Sequence, residues 1–448
     1  MINCQRLAIF AALGLAALGS PAMGQGLIIP GAGPINRSMA GASTAAPVDF
    51  GSSYWNPATL SGLDRQEFLL GSELIIPSIH LTNSIPARSI GGLYPTTNRY
   101  GTSRSDSGVA SNLATGAAFR LSDDSPWTMG LGVFGVVGGG VNYSGNASVP
   151  VLTPQRPPKT FGFGPIYANT SLLAITPMAS RRFSDRLSIG GGPVISTGAV
   201  AFSPAFFAPG AKNQFGVATF PQATNSRPFW GGGFQLGTLF EMNDSWNLGF
   251  SYKSPIWQER WGYNANTPDL AARRIGVQAQ IPAIFSWGVA YKGFEKTLID
   301  VDLRYFDYAN TSLFGQKIAD GGLGWRSVFA VATGAQYQLT EKITLRGGYL
   351  YNMNPISAPG TLFNVQSPAI TEHTLSLGSS LAVTEDIMFT VAWVHGFRNS
   401  ISGSILEIPG SSAKFDVQTD SIIAGLNIKF GAKRKRQEVA AIAKASAE

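Results

Sequence analysis

LIDVDLRYF, residues 298–306, sets Ile299, Val301, Leu303 and Tyr305 against Asp300, Asp302 and Arg304. A period of two is the repeat of a strand, because successive side chains point to opposite faces. The pattern recurs in WTMGLGV (127–133), SWNLGFSY (245–252) and SIIAGLNIKF (421–430), each with an apolar side opposite a small or polar one. Such strands suit either a large soluble all-β protein or a barrel that turns its apolar side to lipid.

Composition separates the two. Charged residues make up 13% of the chain and aromatics 11%, with 53 glycines; an ordinary soluble domain is about 25% charged. After the N-terminus no segment offers the roughly 20 continuous apolar residues of a membrane-spanning helix. The chain opens MINCQRLAIFAALGLAALGSPAMGQG, with one basic residue, an apolar stretch and a small-x-small site. A signal peptide over 1–24 is therefore expected. The single cysteine, Cys4, leaves with it, which excludes a disulfide or a thiolate site from the remainder. An exported chain of weak charge, rich in Gly and aromatics, fits an outer-membrane β-barrel, whose paired strands hide the backbone from lipid.

Fourteen alternating segments are expected, near 66–80, 108–121, 126–139, 168–183, 186–201, 227–242, 245–260, 280–292, 296–310, 325–338, 342–354, 370–383, 386–400 and 416–430. Short connections such as SDR, TEK and TED alternate with long ones rich in Pro, Gly, Asn and Ser. Short periplasmic turns and long extracellular loops are the habit of an up-and-down barrel, and leave both of its ends facing the periplasm. Phe119, Trp127, Phe183, Phe240, Trp246, Tyr291, Tyr337, Phe389 and Phe430 all lie near a short turn or the barrel's end. They read as the periplasmic aromatic girdle. The barrel, 65–430, closes within one chain, so a monomer in contact with outer-membrane lipids is expected.

Before the first strand, MAGASTAAPVDFGSSYWNPATL (39–60) is built of small residues without a regular period. A 14-strand barrel lies between the filled 8-strand type and the open 16–18-strand porins. Residues 25–64 are expected to form a small N-terminal hatch that plugs the lumen.

This stretch resembles the N-terminus of the FadL/TodX family of outer-membrane transporters for hydrophobic compounds. The pattern of small residues, an acid, then Asn-Pro-Ala is carried by Asp49, Asn56, Pro57 and Ala58, with Leu60 behind them. LGFSYKSPI (248–256), IPAIFSWGVAYK (281–292), VDLRYFDYANTSLF (301–314), LRGGYLYNMNPI (345–356) and TEHTLSLGSSLAVTEDIMFTVAW (371–393) continue the similarity over nearly the whole chain. The resemblance implies passive uptake of long-chain fatty acids or similar molecules in the outer membrane of a Gram-negative bacterium. It also implies an extracellular apolar groove, a lumenal pocket and a lateral exit at a kink in the third strand. Aromatic hydrocarbons are the alternative cargo. A lipid-active enzyme or an adhesin is the alternative from another class.

Three groups of residues can be set against that mechanism. In GLGVFGVVGGGVNYSG (130–145), Gly135, Gly138, Gly139 and Gly140 mark either a kink or a plain strand end. In FSPAFFAPGAKNQFGVATFPQAT (202–224), Phe202, Phe206, Phe207, Phe215 and Phe220 either line a docking groove or pack a small core of their own. Alternation turns Lys253, Arg304 and Arg346 inward, where a cation could orient a carboxylate. Asp300 and Asp302 make a structural ion pair the plainer reading of Arg304.

Other chemistry is thin. His80, His373 and His395 lack metal-ligand spacing. His373 and Ser376, three apart on a strand, point to opposite faces and make no catalytic pair. No enzyme, cofactor, metal or nucleic-acid partner is expected. The net charge of +7 belongs partly to the tail at 431–448, which holds five basic and two acidic residues. That tail is expected to extend into the periplasm beyond Phe430, the aromatic stop that the barrel assembly machinery would read.

Overall fold

The computed structural model describes residues 25–89, 92, 95–122, 125–155, 162–212, 218–266, 271–405 and 408–433. The expected signal peptide, Phe215 and residues 434–448 of the tail lie outside the described residues.

Fourteen antiparallel strands close into a ring. In order they are Gln66–Ile85, Ala110–Phe119, Trp127–Tyr143, Ile166–Arg182, Leu187–Ser203, Phe229–Glu241, Trp246–Lys253, Ile284–Tyr291, Thr297–Phe306, Val328–Gln338, Ile343–Asn352, His373–Ala382, Ile387–Gly403 and Ser412–Phe430. The first pairs with the fourteenth from Gln66↔Phe430 to Ser84↔Ser412, so no edge is left unpaired at the seam. Several short turns are shaped by a hydroxyl or amide that accepts from the backbone three residues on. Ser184 Oγ accepts from Leu187 N, Thr340 Oγ1 from Ile343 N, Thr384 Oγ1 from Ile387 N, and Asn243 Oδ1 from Trp246 N.

The alternation sorts as lipid outside and polar inside. Leu303 is exposed while Asp300, Asp302 and Arg304 are fully buried. Phe119, Trp127, Phe183, Phe240, Trp246, Tyr337, Phe389 and Phe430 are all exposed beside the short turns or the end of the barrel, whereas Tyr291 is half-buried between Trp246 and Phe294. His373 is half-buried, its Nδ1 2.5 Å from the Tyr349 hydroxyl, whereas Ser376 is buried.

Departures from the expected boundaries have local causes. The seventh strand breaks at Ser254-Pro255 and resumes over Ile256–Gln258, because proline cannot donate to a ladder. The long connections carry paired segments of their own. Arg99–Arg104 extends the wall beside the first strand, and Trp261–Asn266 pairs with Ala272–Val277.

Inside the ring lie residues 25–63, buried almost throughout. They form one short helix, Gly33–Ser38, and two 3-10 turns, Phe50–Tyr54 and Pro57–Gly62. Where this segment meets the wall, the wall residue is often glycine. A Cβ at Gly249 would stand 2.1 Å from the Thr44 carbonyl oxygen, and one at Gly237 2.0 Å from Asn56 Oδ1. At Gly348 it would stand 2.4 Å from the Met39 carbonyl carbon, and at Gly378 2.4 Å from Ser38 Cβ. Small residues on the segment thus face bare backbone on the wall, and the two approach as closely as polypeptides can.

Candidate functional site

The Asn-Pro-Ala element anchors the inner segment. Asn56 Nδ2 donates to the carbonyls of Thr44 and Thr238, both at 2.8 Å, and its Oδ1 accepts from Ala58 N at 3.0 Å. Pro57 opens the following 3-10 turn, where its missing N–H is not needed. Asp49 Oδ2 accepts from Asn427 Nδ2 at 3.2 Å; burial first, then the Glu67 carboxylate nearby, push the Asp49 pKa up to about 7.

Three wall carboxylates hold the rest of the segment. Glu67 accepts from Phe50 N at 3.0 Å, Glu73 pairs with Arg37 at 2.6 Å, and Asp302 accepts from Ser43 N at 3.0 Å and Thr44 N at 3.1 Å. Arg304, 2.5 Å from Asp302, donates to the Gly41 carbonyl at 2.5 Å and lies 3.8 Å from the Trp55 ring centre. Arg304 is therefore a brace between wall and segment. Asp302→Ala strands that cation and two amides in a buried site, a loss of about 3–5 kcal/mol for a broken buried pair. The expected result is a lower unfolding temperature and faster proteolysis within residues 25–63; an unchanged digestion pattern would deny the brace.

The other two inward cations differ from each other. Arg346 donates to Gln336 Oε1 at 2.7 Å and Ser380 Oγ at 2.5 Å. Lys253 has no ion pair among the described residues; its Nζ stands 3.9 Å from the Tyr54 ring centre and 4.9 Å from that of Trp55. Lys253 also lines a cavity of about 30 Å³ bounded by Ile28, Tyr54, Phe134, Val136, Phe234 and Ile284. Gln235 lines the same cavity, buried, with its amide nitrogen unpartnered among the described residues. Nothing but inward parity in FWGGGFQLG (229–237) marked Gln235 in the sequence.

Beside this cavity the third strand changes partners. Its ladder to the second strand ends at Ala114↔Phe134, whereas its ladder to the fourth runs on to Tyr143↔Ile166 with a bulge at Val136. The strand therefore does not stop at 139 but continues through its glycines with one neighbour lost. The inner segment takes that neighbour's place: Ile29 N donates to Val136 O at 3.0 Å, and Ile28 bridges Val137. Cβ atoms at Gly138 and Gly139 would lie 3.6 Å from Ile29 Cδ1 and 3.5 Å from Leu27 Cδ2. Gly140 serves the wall itself, since a Cβ there would meet the Ala168 carbonyl oxygen at 2.6 Å.

At the end with the long loops, Phe206 packs edge-on against Phe163, Phe220 and Phe363 at 5.0, 5.3 and 6.0 Å between ring centres. Phe202 and Phe207 meet at 5.7 Å. Phe202, Phe206 and Phe207 line a second cavity of about 30 Å³ with Leu313, Ile318 and Phe363. The rings both pack one another and wall a space, and the loops around 313–323 and 363–367 complete it. Among the described residues no group of His, Cys, Asp or Glu could hold a metal ion.

The profile of the outer membrane protein transport family (OMPP1/FadL/TodX) matches residues 15–431. An outer membrane protein of Neisseria meningitidis serogroup B is 23% identical, the match covering 88% of this chain and 92% of that protein. Among solved structures, the Pseudomonas putida toluene transporter TodX is similar at a TM-score of 0.64 and 16% identity, covering 90% of this chain and 99% of its own. A Pseudomonas aeruginosa FadL homologue is similar at 0.69 and 15% identity, covering 91% and 100%. With the closed ring of fourteen strands and a profile match over most of its length, the chain belongs to the OMPP1/FadL/TodX family of outer membrane transport proteins.

Proposed function

We propose that the protein admits hydrophobic molecules passively, first at the aromatic cavity of the outer loops, then in the lumenal pocket at Lys253, and finally sideways into the membrane. The third strand carries this reading: beyond Phe134 it has no ladder to the second strand, and at Val136 and Val137 the inner segment pairs with it instead. An apolar cargo that leaves through such a gap avoids water, where its exposure costs roughly 25 cal/mol per Å². The pocket's 30 Å³ is small beside the roughly 150 Å³ of an engineered cavity that takes benzene. Entry of cargo therefore requires the inner segment, which contributes Ile28 and Tyr54, to give way.

Lys253 and Gln235 favour a cargo with a carboxylate. Among the described residues this cation has no ion pair and this amide nitrogen no acceptor; they share one apolar pocket, and one carboxylate satisfies both. Aromatic hydrocarbons are the second reading, favoured by the Tyr54, Phe134 and Phe234 rings in the same lining and by the toluene transport named for the similar TodX. Lys253→Met separates the two. Oleate binding to the purified protein is expected to weaken by about 10–100-fold, the worth of one charged hydrogen bond, with toluene binding unchanged. Unchanged oleate affinity would leave Lys253 as a support for Tyr54 and Trp55 and hand the pocket to hydrocarbons.

A further inference from the structure

The strand gap is not empty, and what stands in it is tied to the inner segment. Asn112 belongs to the part of the second strand, residues 110–113, that pairs with the first strand but not with the third. A Cβ on Gly135 would fall 1.8 Å from Asn112 Oδ1. The carboxamide therefore occupies the room that a side chain at 135 would take, on the far side of the gap. Its Nδ2 donates to Glu73 Oε2 at 3.2 Å, and Glu73 is its direct cross-strand partner. The other oxygen of the same carboxylate, Oε1, accepts from Arg37 Nη2 at 2.6 Å. One buried acid thus serves both the gap and the inner segment, with Ser421 as a further side-chain hydrogen-bond partner.

We infer that Asn112 is the positioning residue that sets the width of the lateral gap, and that Glu73 links its position to that of Arg37. This rests on the lateral-exit reading and adds a residue that acts on it. With Arg37 seated, Glu73 is charge-paired and holds the carboxamide across the gap. When the segment withdraws, Glu73 becomes a buried carboxylate without its cation, a state that draws in water. Water competes for the oxygen that Asn112 uses, and the side chain is released from its place against Gly135. The gap then widens in the same movement that uncovers Val136 and Val137. Gly135 serves here less as a bend than as the seat for an amide on the neighbouring strand.

The test is uptake of radiolabelled oleate by cells expressing the full chain, with heat-modifiability on gels confirming a folded barrel. Asn112→Ala is expected to raise the rate about fivefold, the factor that losing one hydrogen bond puts on an open–closed equilibrium. Asn112→Ser, shorter but still polar, is expected to do the same if the alanine variant folds poorly. Gly135→Ala places a methyl where Oδ1 now sits and displaces the amide, so it too is expected to raise uptake. Combined with Asn112→Ala it should add nothing, since the group it displaces is already gone. Wild-type uptake in folded Asn112→Ala and Asn112→Ser, or additive effects in the double variant, would overturn the proposal. Gly138→Leu with Gly139→Phe distinguishes this from failure of the exit itself. If that filled variant transports normally, the lateral route is wrong; if it is blocked while Asn112→Ala runs at the wild-type rate, only the role of Asn112 is lost.

Discussion

A barrel lacking residues 25–50 is expected to conduct ions in planar bilayers far better than the intact protein. Where the segment lies closest, the wall offers no side chain to fill the space it leaves. At Gly249, Gly348 and Gly378 the lumen is lined by backbone alone, and the matter that fills it is the segment itself. Fourteen strands enclose more room than the eight whose own side chains fill the interior. The deletion spares Asn56, Pro57 and Ala58, which stay docked through Thr238, but removes Arg37, Ser43, Thr44 and Phe50 from Glu73, Asp302 and Glu67. Water then reaches those carboxylates and a continuous aqueous path opens. Conductance equal to that of the intact chain would deny that the segment is a plug.

Gly138→Leu with Gly139→Phe is expected to abolish uptake while binding at the loop cavity persists. Ile29 and Leu27 already stand at contact distance from Cβ positions on these two glycines, so there is room for a first carbon and little beyond it. A branched chain and a ring placed there must intrude into the gap or the pocket, where crowding of a packed site costs about 1–3 kcal/mol. The loop cavity, with Phe206 and Phe363, shares no lining residue with the pocket beside the gap. Binding retained with uptake lost is thus the signature of a blocked exit. Undiminished uptake would reject the lateral route.

The ring was legible because two local signals agree along its whole length. Alternation such as Ile299 to Tyr305 states which side meets lipid, and Ser184, Thr340 and Thr384 sit where a short turn needs an acceptor. Strand ends were less legible: the fourteenth begins at Ser412 rather than 416, and the third passes through its glycines to Tyr143. Arg304 could be read as a brace because its partner Asp302 is two residues away on the same face. Lys253 could not be told from Arg346, because what distinguishes them is supplied by Tyr54, Gln336 and Ser380 on other parts of the chain. Gln235, Glu73 and Asn112 carried no signal beyond parity. Their meaning lies in cross-strand register and in contact with the inner segment, which no local pattern encodes. The loop cavity was half legible: Phe206 is conspicuous, but Phe363 reaches it from a loop far along the chain.

The anchoring of the inner segment also bears on the order of events in assembly. Its partners are spread around the whole circumference: Glu67 and Glu73 on the first strand made, Thr238 and Asp302 midway, Asn427 on the last. The segment is synthesised before any of them, yet its last partner arrives only with the strand that closes the ring. Full seating of the segment therefore waits for the closed ring, because its contact with Asn427 exists only once the last strand is in place.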